Sequence, residues 1–206
     1  MLILLFGATG RVGSSVLNKL LSLNHEVVVF VRNKKKLYAE SDKLKVVEGD
    51  VLDQDAFGKL KEIPIDAVIN AIGADPLKPS TLYTDTTRLI IELIKGKPKV
   101  HYIGITGIAQ MEKTFFGKWV VGILNRTPVK NAILDHQNAF NLVKASDLNW
   151  TLIGCPYIVY GEEKGKYHTD TKFRGGFKTI HPGDVGGALV NEVGKTNFQK
   201  IIGIWY

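Results

Sequence analysis

The stretch LILLFGATGRVG, residues 2 to 13, decides the fold that the sequence predicts. Its apolar run Leu2 to Phe6 has the length and composition of a buried strand. Gly7, Gly10 and Gly13 follow at three-residue spacing, and apolar residues then return near helical spacing, at Val16, Leu17, Leu20, Leu21 and Leu23. A strand, a glycine turn and a helix in this order predict the start of a parallel α/β arrangement.

The glycine turn also matches what an anionic ligand needs. Without Cβ atoms the turn lets a pyrophosphate approach the backbone, and the following helix offers unpaired N–H groups and the positive end of its dipole. We therefore predict a dinucleotide-phosphate site formed by Gly7, Thr9, Gly10, Arg11, Val12 and Gly13. The alternative is an ordinary strand, turn and helix without a ligand, because the chain holds 21 glycines.

Apolar β-rich runs alternate with helical patterns along most of the chain. This alternation predicts an α/β fold, a Rossmann-like doubly wound parallel sheet with helices on both faces. The later predicted strands are 26–31, 44–48, 66–72, 100–105, 150–154 and 200–205, and the later helices are 53–61, 80–96 with Ser80 as N-cap, 128–145 and 184–193. We expect a single domain over residues 1–206, in which residues 156–206 add a small portion on the substrate side.

Composition limits the class of protein. The 206 residues are 45% hydrophobic and 23% charged, as in ordinary globular proteins, and the net charge is +7. Outside residues 34–36 the lysines are scattered, so we expect no nucleic-acid partner, although a basic surface would attract an anionic cofactor. The single cysteine, Cys155, cannot form a disulfide within the chain, so we expect a cytoplasmic location. Cys155 and the five histidines lack metal-ligand spacing, so we expect no metal.

The segment after the fifth predicted strand has no regular pattern. Residues 106–127 follow a strand end, where ligands bind in such sheets, and are the expected cover of a substrate. Within them Phe115 to Leu124 is the most apolar run, but it is too short to span a membrane and contains Lys118 and two glycines. We interpret it as a core segment or a pocket cover, and expect no membrane partner.

The end of the second predicted strand bears on the choice of cofactor. In NAD-preferring proteins of this fold an acidic residue there accepts hydrogen bonds from the adenosine ribose. Here the position reads Val31-Arg32-Asn33, followed by three lysines. A guanidinium suits the additional phosphate of NADP, so we predict NADP as the cofactor, bound by Arg32 with help from Arg11. The alternative is a solvated basic turn.

Two further strand ends complete the predicted adenosine site. Asp50 and Val51 end the third strand, where a carboxylate can accept a hydrogen bond from the adenine amino group. The competing role for Asp50 is a turn or a helix cap. Ala71 and Gly73 end the fourth strand, and small residues there let the backbone lie against the adenosine.

These motifs together resemble an atypical short-chain dehydrogenase/reductase. The chain is most similar to the biliverdin IXβ reductase/flavin reductase group and, more broadly, to NmrA-like NAD(P)-binding proteins. The resemblance rests on GATGRVG at 7–13, VRN at 31–33, GDVLD at 49–53, AIG at 71–73, LDHQNAFNLVKASDLNWTLIGCPYI at 134–158 and the segment 165–190. It implies a domain that binds NADP and passes hydride from the nicotinamide to a flat conjugated acceptor, such as a flavin or a quinone.

The resemblance also supplies the candidate catalytic residues. Thr106 matches the family's threonine and is expected beside the nicotinamide ribose, and Pro156 is expected among the cofactor-binding residues. The family's serine falls at Gly107 and its histidine at Tyr157, which puts bilin reduction in doubt. Tyr157 is either a substitute proton donor, a stacking platform for the acceptor, or an aromatic packed under a loop.

His136 matches a family histidine and would contact substrate or nicotinamide, unless it is a structural histidine. The Tyr-x-x-x-Lys pair of short-chain dehydrogenases is matched in spacing by Tyr160 and Lys164, but Gly161 breaks the helix that the pair needs. We interpret that match as a coincidence.

Two other classes of protein stay open, a non-catalytic NADP-binding regulator and a sugar-nucleotide epimerase or dehydratase. The sequence does not predict the oligomeric state.

Overall fold

A computed structural model describes residues 1–51 and 53–206, without the side chain of Gln54. Leu52, in the GDVLD motif, lies outside the described residues. The strands are β1 (Leu2–Phe6), β2 (Glu26–Val31), β3 (Leu44–Glu48), β4 (Ala67–Asn70), β5 (His101–Gly107), β6 (Glu112–Lys113), β7 (Asn149–Cys155), β8 (Tyr157–Ile158), β9 (His168–Asp170), β10 (Lys172–Phe173), β11 (Thr179–Ile180) and β12 (Lys200–Trp205). The helices are α1 (Arg11–Ser22), α2 (Gln54–Gly58), α3 (Leu82–Ile94), α4 (Phe115–Leu124), α5 (Lys130–Lys144) and α6 (Pro182–Val190).

Eight of these strands form one sheet in the order β3-β2-β1-β4-β5-β7-β12-β9. Neighbouring strands are parallel except β12 and β9, which are antiparallel. From β1 the chain passes to β2 and β3 on one side, then returns to β4 on the other side of β1. The carboxyl ends of β1 and β4 are therefore the topological switch point, where such sheets bind ligands.

Helices cover both faces of the sheet, which confirms the predicted doubly wound α/β fold. On one face α1 and α6 pack on alternate strand residues such as Ile3, Leu5 and Val29. On the other face α2, α3 and α5 pack on the intervening residues, such as Leu4 and Phe6. Each inner strand therefore has apolar side chains on both faces, as strands of a covered parallel sheet require.

A third, smaller apolar cluster lies beyond the carboxyl end of the sheet. Phe173 on β10 is fully buried there, and its ring lies edge-on to Trp205 on β12 with centroids 6.2 Å apart. β10 pairs with β6 just before α4, and the backbone N–H of Thr114 donates to the Phe173 carbonyl at 3.1 Å. This cluster carries α4 beyond the carboxyl ends of β5 and β12.

The bounds of β1, β2, β3 and β12 agree with the prediction, and most differences elsewhere are of a few residues. α5 begins at Lys130 instead of Pro128, and α6 begins at Pro182 with proline in its first turn. α2 and β4 are shorter than predicted. Leu23 follows the last residue of α1 and is 59% exposed, so the prediction that places it in the helical apolar pattern was wrong.

Two further predictions about helices need correction. Residues 115–124 form the regular helix α4, although the segment was expected to be irregular. Its apolar residues lie on several faces, so it gives no clean amphipathic period. The N-cap position of α3 is Thr81, not Ser80, although the Ser80 hydroxyl does accept a hydrogen bond from the Leu82 N–H at 3.1 Å.

Candidate active site

The candidate site lies at the switch point, where Gly7 leaves β1. Gly7 has a φ of +82°, and a Cβ there would lie 2.6 Å from the carbonyl carbon and oxygen of Ala71 at the end of β4. Only glycine combines this left-handed conformation with such a close approach of two backbones. The turn is therefore held against the end of β4.

Gly13 fixes the start of α1 against the same turn. A Cβ at Gly13 would lie 2.0 Å from the Gly7 carbonyl oxygen, so any side chain would push the helix away. Gly10 is the N-cap residue, and within the described part of the chain no side chain caps the first turn of α1. A helix N-terminus whose N–H groups have no side-chain cap, next to a glycine turn, is suited to bind a phosphate group. We call Gly7, Gly10, Gly13 and the start of α1 the glycine cradle.

Two arginines follow the carboxyl ends of β1 and β2, Arg11 as the first residue of α1 and Arg32 directly after β2. The guanidinium carbon of Arg11 lies 4.5 Å from the ring centroid of Tyr160, which is 82% exposed, so a cation–π contact orients Arg11. Arg32 is exposed just after β2. The neighbouring turn is ordered, because the Asn33 side chain accepts from the Lys35 N–H at 2.9 Å.

The other predicted adenosine residues flank the same crevice. Val51 is buried and Asp50 is exposed at the end of β3. The helix-cap role considered for Asp50 belongs instead to Asp53, whose carboxylate accepts from the N–H groups of Asp55 and Ala56 in α2. Past β4, a Cβ at Gly73 would meet open space, in contrast to Gly7 and Gly13.

The end of β5 brings Thr106 into the crevice. Thr106 is buried, and its hydroxyl donates to the Gln110 side-chain oxygen at 3.5 Å. Gln110 is held in turn, because its amide nitrogen donates to the Ile133 carbonyl at 3.2 Å. A Cβ at Gly107 would lie 3.1 Å from the same Gln110 oxygen. Gln110 therefore fills the space where a side chain at position 107 would begin.

His136 lies against Tyr83, which contacts the end of β5. The two ring centroids are 4.4 Å apart, and the Tyr83 hydroxyl donates to the carbonyl of Ile105, the residue before Thr106. Burial lowers the pKa of His136 to about 4, against the opposing influences of Asp135 and the Ile105 backbone. The imidazole is therefore neutral near pH 7, and its buried Nδ1 has no hydrogen-bond partner among the described residues.

Tyr157 and Pro156 follow β7 at the next strand end. Pro156 is buried, whereas Tyr157 on β8 is 58% exposed and its ring is free to contact a ligand on the surface of the crevice. Cys155 just before them is buried, and burial raises the pKa of its thiol. This cysteine is therefore a packing residue and not a nucleophile.

Tyr160 and Lys164, which share the spacing of a short-chain catalytic pair, have separate partners. Tyr160 lies under Arg11, whereas the Lys164 ammonium lies 3.7 Å from the ring centroid of Tyr206. The two side chains lie outside the helical elements and do not form the Tyr-x-x-x-Lys arrangement on a helix.

Several residues near the site have no signal in the sequence that would have identified them. Tyr83 and Tyr160 reach it from segments distant in the chain, whereas Gln110 contacts Thr106, four residues before it, through side chains that carry no recognisable motif. The aromatic side chains of α4 were noted only as a core segment or a cover. Phe115, Phe116 and Trp119 are 89%, 52% and 59% exposed, so the core interpretation was wrong for this face of the helix.

Another concavity, of about 580 Å³, lies at the opposite edge of the sheet. Its lining includes Leu2, Glu26 and Leu44, the residues at which β1, β2 and β3 begin. Open α/β sheets bind ligands at the carboxyl ends of their strands, so this concavity is not a candidate active site.

The fold and the glycine cradle define an α/β protein of the class whose switch point is suited to a dinucleotide. A sequence model of the NAD(P)H-binding family matches residues 7–195, so the chain belongs to that family and takes a nicotinamide cofactor. This match confirms the predicted resemblance to NAD(P)-binding proteins.

Proteins similar to this chain differ from it widely in sequence, and the solved structures among them share its fold. YwnB of Bacillus subtilis, whose function is uncharacterised, is 26% identical over 156 residues, which cover 72% of this chain and 68% of YwnB. A Streptococcus pneumoniae protein provisionally named NADH-flavin reductase has a TM-score of 0.78 at 23% identity, covering 100% of this chain and 99% of that one. ChuY, an anaerobilin reductase of Escherichia coli O157:H7, has a TM-score of 0.77 at 16% identity, covering 99% and 96%.

Within residues 1–51 and 53–206, no helix combines the length and apolarity needed to cross a membrane. In the same part of the chain, no group of histidine, cysteine, aspartate or glutamate side chains is arranged to hold a metal ion.

Proposed function

We propose that the protein is an NADPH-dependent oxidoreductase that passes hydride to a flavin, a quinone or a similar planar conjugated acceptor. The observation that carries the proposal is the cradle of Gly7 and Gly13 beneath the uncapped start of α1. This cradle fits a pyrophosphate, and the strand ends on either side of it offer residues for the two halves of a dinucleotide. The nicotinamide cofactor supplies hydride when bound.

The adenosine half would lie over Gly73 and Asp50, with Arg32 facing the ribose phosphate that distinguishes NADP from NAD. Arg32 is exposed and lies just beyond β2, as a residue that contacts this phosphate must. Its planar guanidinium can donate two parallel hydrogen bonds to phosphate oxygens. Arg11, oriented by Tyr160, supports the negative charge of the same half of the cofactor.

The nicotinamide half would lie at the ends of β5 and β7. Thr106 hydrogen-bonds the ribose, and Gln110 orients the Thr106 hydroxyl. Pro156 packs beside the ring. His136 is neutral near pH 7, so in this proposal it holds the nicotinamide or the acceptor by a hydrogen bond and does not protonate it.

The acceptor would stack over the open face of the nicotinamide, between Tyr157 and the amino-terminal end of α4. Hydride transfer to an electron-poor ring needs chiefly alignment, and water can supply the proton. Tyr157 acts as the stacking platform or the proton donor. Two of the similar structures belong to proteins named as a flavin reductase and an anaerobilin reductase, whose named substrates are planar.

The test mixes purified protein with NADPH and FMN, or with a soluble quinone, and follows absorbance at 340 nm. We expect oxidation of NADPH that depends on both protein and acceptor. Tyr157→Phe separates the two roles of the tyrosine, since loss of turnover identifies a proton donor and unchanged turnover identifies a platform. Tyr38→Phe, a 95% exposed tyrosine after the basic turn, is the matched control.

A second candidate function is a non-catalytic NADP-binding regulator. It is favoured by Gly107 and Tyr157, which replace the serine and the histidine of the resembled reductases. The same experiment separates the two functions. If NADPH binds by calorimetry but no flavin or quinone in the panel is reduced, the oxidoreductase proposal is wrong and the regulator is supported.

A further inference from the structure

One face of α4 exposes a group of apolar side chains that nothing in the fold covers among the described residues. Phe115, Trp119 and Ile123 are spaced by four residues and form one stripe, 89%, 59% and 42% exposed. Phe116 stacks on Trp119 with ring centroids 5.6 Å apart, and Phe177 nearby in the chain after β10 is 90% exposed. We call these five residues the aromatic surface.

The opposite face of α4 explains why these side chains point outward. Gly117 and Val121 are buried, and a Cβ at Gly117 would lie 2.5 Å from the Phe173 carbonyl oxygen. The Phe116 ring lies over Gly175, where a Cβ would come within 2.4 Å of it. The helix therefore sits firmly on β10, and its aromatic stripe is held in place on the outside.

The surroundings of the aromatic surface are strongly basic. Residues 113–134 and 171–181, which carry it, contain seven lysines and arginines and no aspartate or glutamate. Lys172 and Arg174 are paired with Glu112 and Asp170, just outside these segments. Lys118, Arg126 and Lys130 are exposed, and no ion pair of theirs occurs among the described residues.

An exposed helix with tryptophan and phenylalanine on one face and lysine and arginine around it has the chemistry of an interfacial membrane helix. Aromatic side chains enter the boundary between headgroups and acyl chains, and basic side chains meet anionic headgroups. We propose that the aromatic surface docks on the surface of a bilayer that contains anionic phospholipid. The helix lies in the plane of the interface and does not cross it, which revises the expectation of no membrane partner.

A second copy of the chain is the competing occupant. Two such surfaces facing each other would bring their basic residues together without acidic partners, which opposes self-association. A bilayer with anionic headgroups instead provides the opposite charge. Docking of this kind does not depend on the proposed hydride transfer, because the aromatic surface and its charges are present in the protein alone.

The experiment measures binding to vesicles of phosphatidylcholine with and without about one third phosphatidylglycerol, by co-sedimentation. We expect the partition coefficient to be about tenfold higher with the anionic lipid and to fall as salt is raised. Tryptophan emission provides a second measurement. Trp150 and Trp205 are both 6% exposed, so a blue shift on vesicle binding reports on Trp119.

Substitutions test whether the aromatic surface is responsible. Phe115→Ser with Trp119→Ser should lower the partition coefficient about tenfold, because both apolar anchors are lost. Leu77→Ser, which removes a side chain that is 59% exposed elsewhere, is the matched control and should bind as the unaltered protein does. Lys118→Glu should remove most of the preference for anionic vesicles.

Three outcomes overturn the proposal. Equal partition into neutral and anionic vesicles excludes recognition of anionic lipid, and unchanged binding of the serine variant excludes the aromatic surface. Absence of vesicle binding, with a concentration-dependent dimer that the serine variant abolishes, assigns the surface to self-association. Circular dichroism of each variant shows whether the fold is retained, and NADPH binding provides an independent check of it.

Discussion

At the scale of single residues, Gly13 tests how closely α1 must approach the glycine turn. We expect Gly13→Ala to lower the free energy of unfolding by about 2 kcal/mol, because the methyl group would lie 2.0 Å from the Gly7 carbonyl oxygen and neither backbone can yield. NADPH affinity should fall as well, since the start of the helix moves. Urea denaturation and calorimetry measure the two effects.

The control for Gly13→Ala is Gly122→Ala in α4. A Cβ at Gly122 meets no atom within 4 Å, so alanine should leave stability unchanged or raise it by about 1 kcal/mol through its better helix propensity. If both variants lose stability equally, the close backbone contact at Gly13 is not the cause of the loss.

Arg32 tests the choice between the two nicotinamide cofactors. We expect Arg32→Asp to weaken NADPH binding about tenfold to a hundredfold, because a carboxylate replaces a charged donor to phosphate. NADH binding should change much less, since NADH lacks that phosphate. Calorimetric titration with each cofactor measures both, with Lys99→Asp as an exposed control. Equal affinity of the unaltered protein for the two cofactors would contradict the assignment.

At the scale of elements, the strands were easier to predict than the helices. β1, β2 and β12 are mostly apolar runs, and β3 has three apolar residues and ends before Gly49, so the sequence indicates their bounds. α4 escaped prediction because its outward stripe is as apolar as its buried face. The buried side of a helix can be inferred only where the other side is polar.

α3 depends on a contact from another helix for the start of its first turn. The Asp135 carboxylate on α5 accepts hydrogen bonds from the N–H groups of Tyr83 and Thr84, at 3.2 and 2.8 Å. Its position in α5 gives no hint of this role, because the two segments are 51 residues apart. A carboxylate near a helix N-terminus also interacts favourably with the helix dipole.

We expect Asp135→Ala to lower the free energy of unfolding by about 2–3 kcal/mol, since two buried N–H groups would lose their acceptor. Asp135→Asn, which keeps one oxygen acceptor, should cost less. Asp85→Ala is the control in the same helix, because that carboxylate forms a more exposed pair with Arg88 and should contribute below about 1 kcal/mol. Urea titration measures the free energy of unfolding of the three variants. Equal losses for Asp135→Ala and Asp85→Ala would show that capping of α3 by a residue of α5 is unimportant for stability.

At the scale of the whole molecule, the sheet and the glycine cradle were predictable from sequence for the same reason. Both depend on local patterns, namely apolar runs and the spacing of Gly7, Gly10 and Gly13. The surroundings of the proposed nicotinamide position depend instead on Tyr83 in α3, Gln110 just after β5 and His136 in α5. Their hydrogen bonds arise only when the chain is folded, so sequence spacing could propose His136 but not its environment.

The buried histidines make stability depend on pH. His101 on β5 is 4% exposed, and a hydrogen bond joins its Nε2 to the Thr151 hydroxyl at 3.0 Å. Burial lowers its pKa to about 4, with Glu192 opposing and Lys200 adding to the shift. In the unfolded chain the same group titrates near pH 6.5, so below that pH the unfolded state binds more protons than the folded state.

The free energy of unfolding should therefore fall as the pH is lowered from about 6.5 towards about 4. His101 alone accounts for about 2 kcal/mol between pH 7 and pH 5. Between pH 7 and pH 5, the free energy of unfolding of His101→Gln should fall by about 2 kcal/mol less than that of the unaltered protein. His136 continues to contribute to the fall in both proteins. Parallel urea titrations at the two pH values measure the difference. Identical losses in both proteins would show that His101 is not a source of the acid sensitivity.

The order of strands in the sheet has a consequence during translation. β9 joins the sheet only through β12, and Asp170 pairs with Gly203, 33 residues later. At about 5–20 residues per second the ribosome needs a few seconds to supply that partner. Until then Phe173 lacks the Trp205 ring that covers it, so the apolar cluster that carries α4 cannot close before β12 has been made. The growing polypeptide therefore completes this part of the fold last.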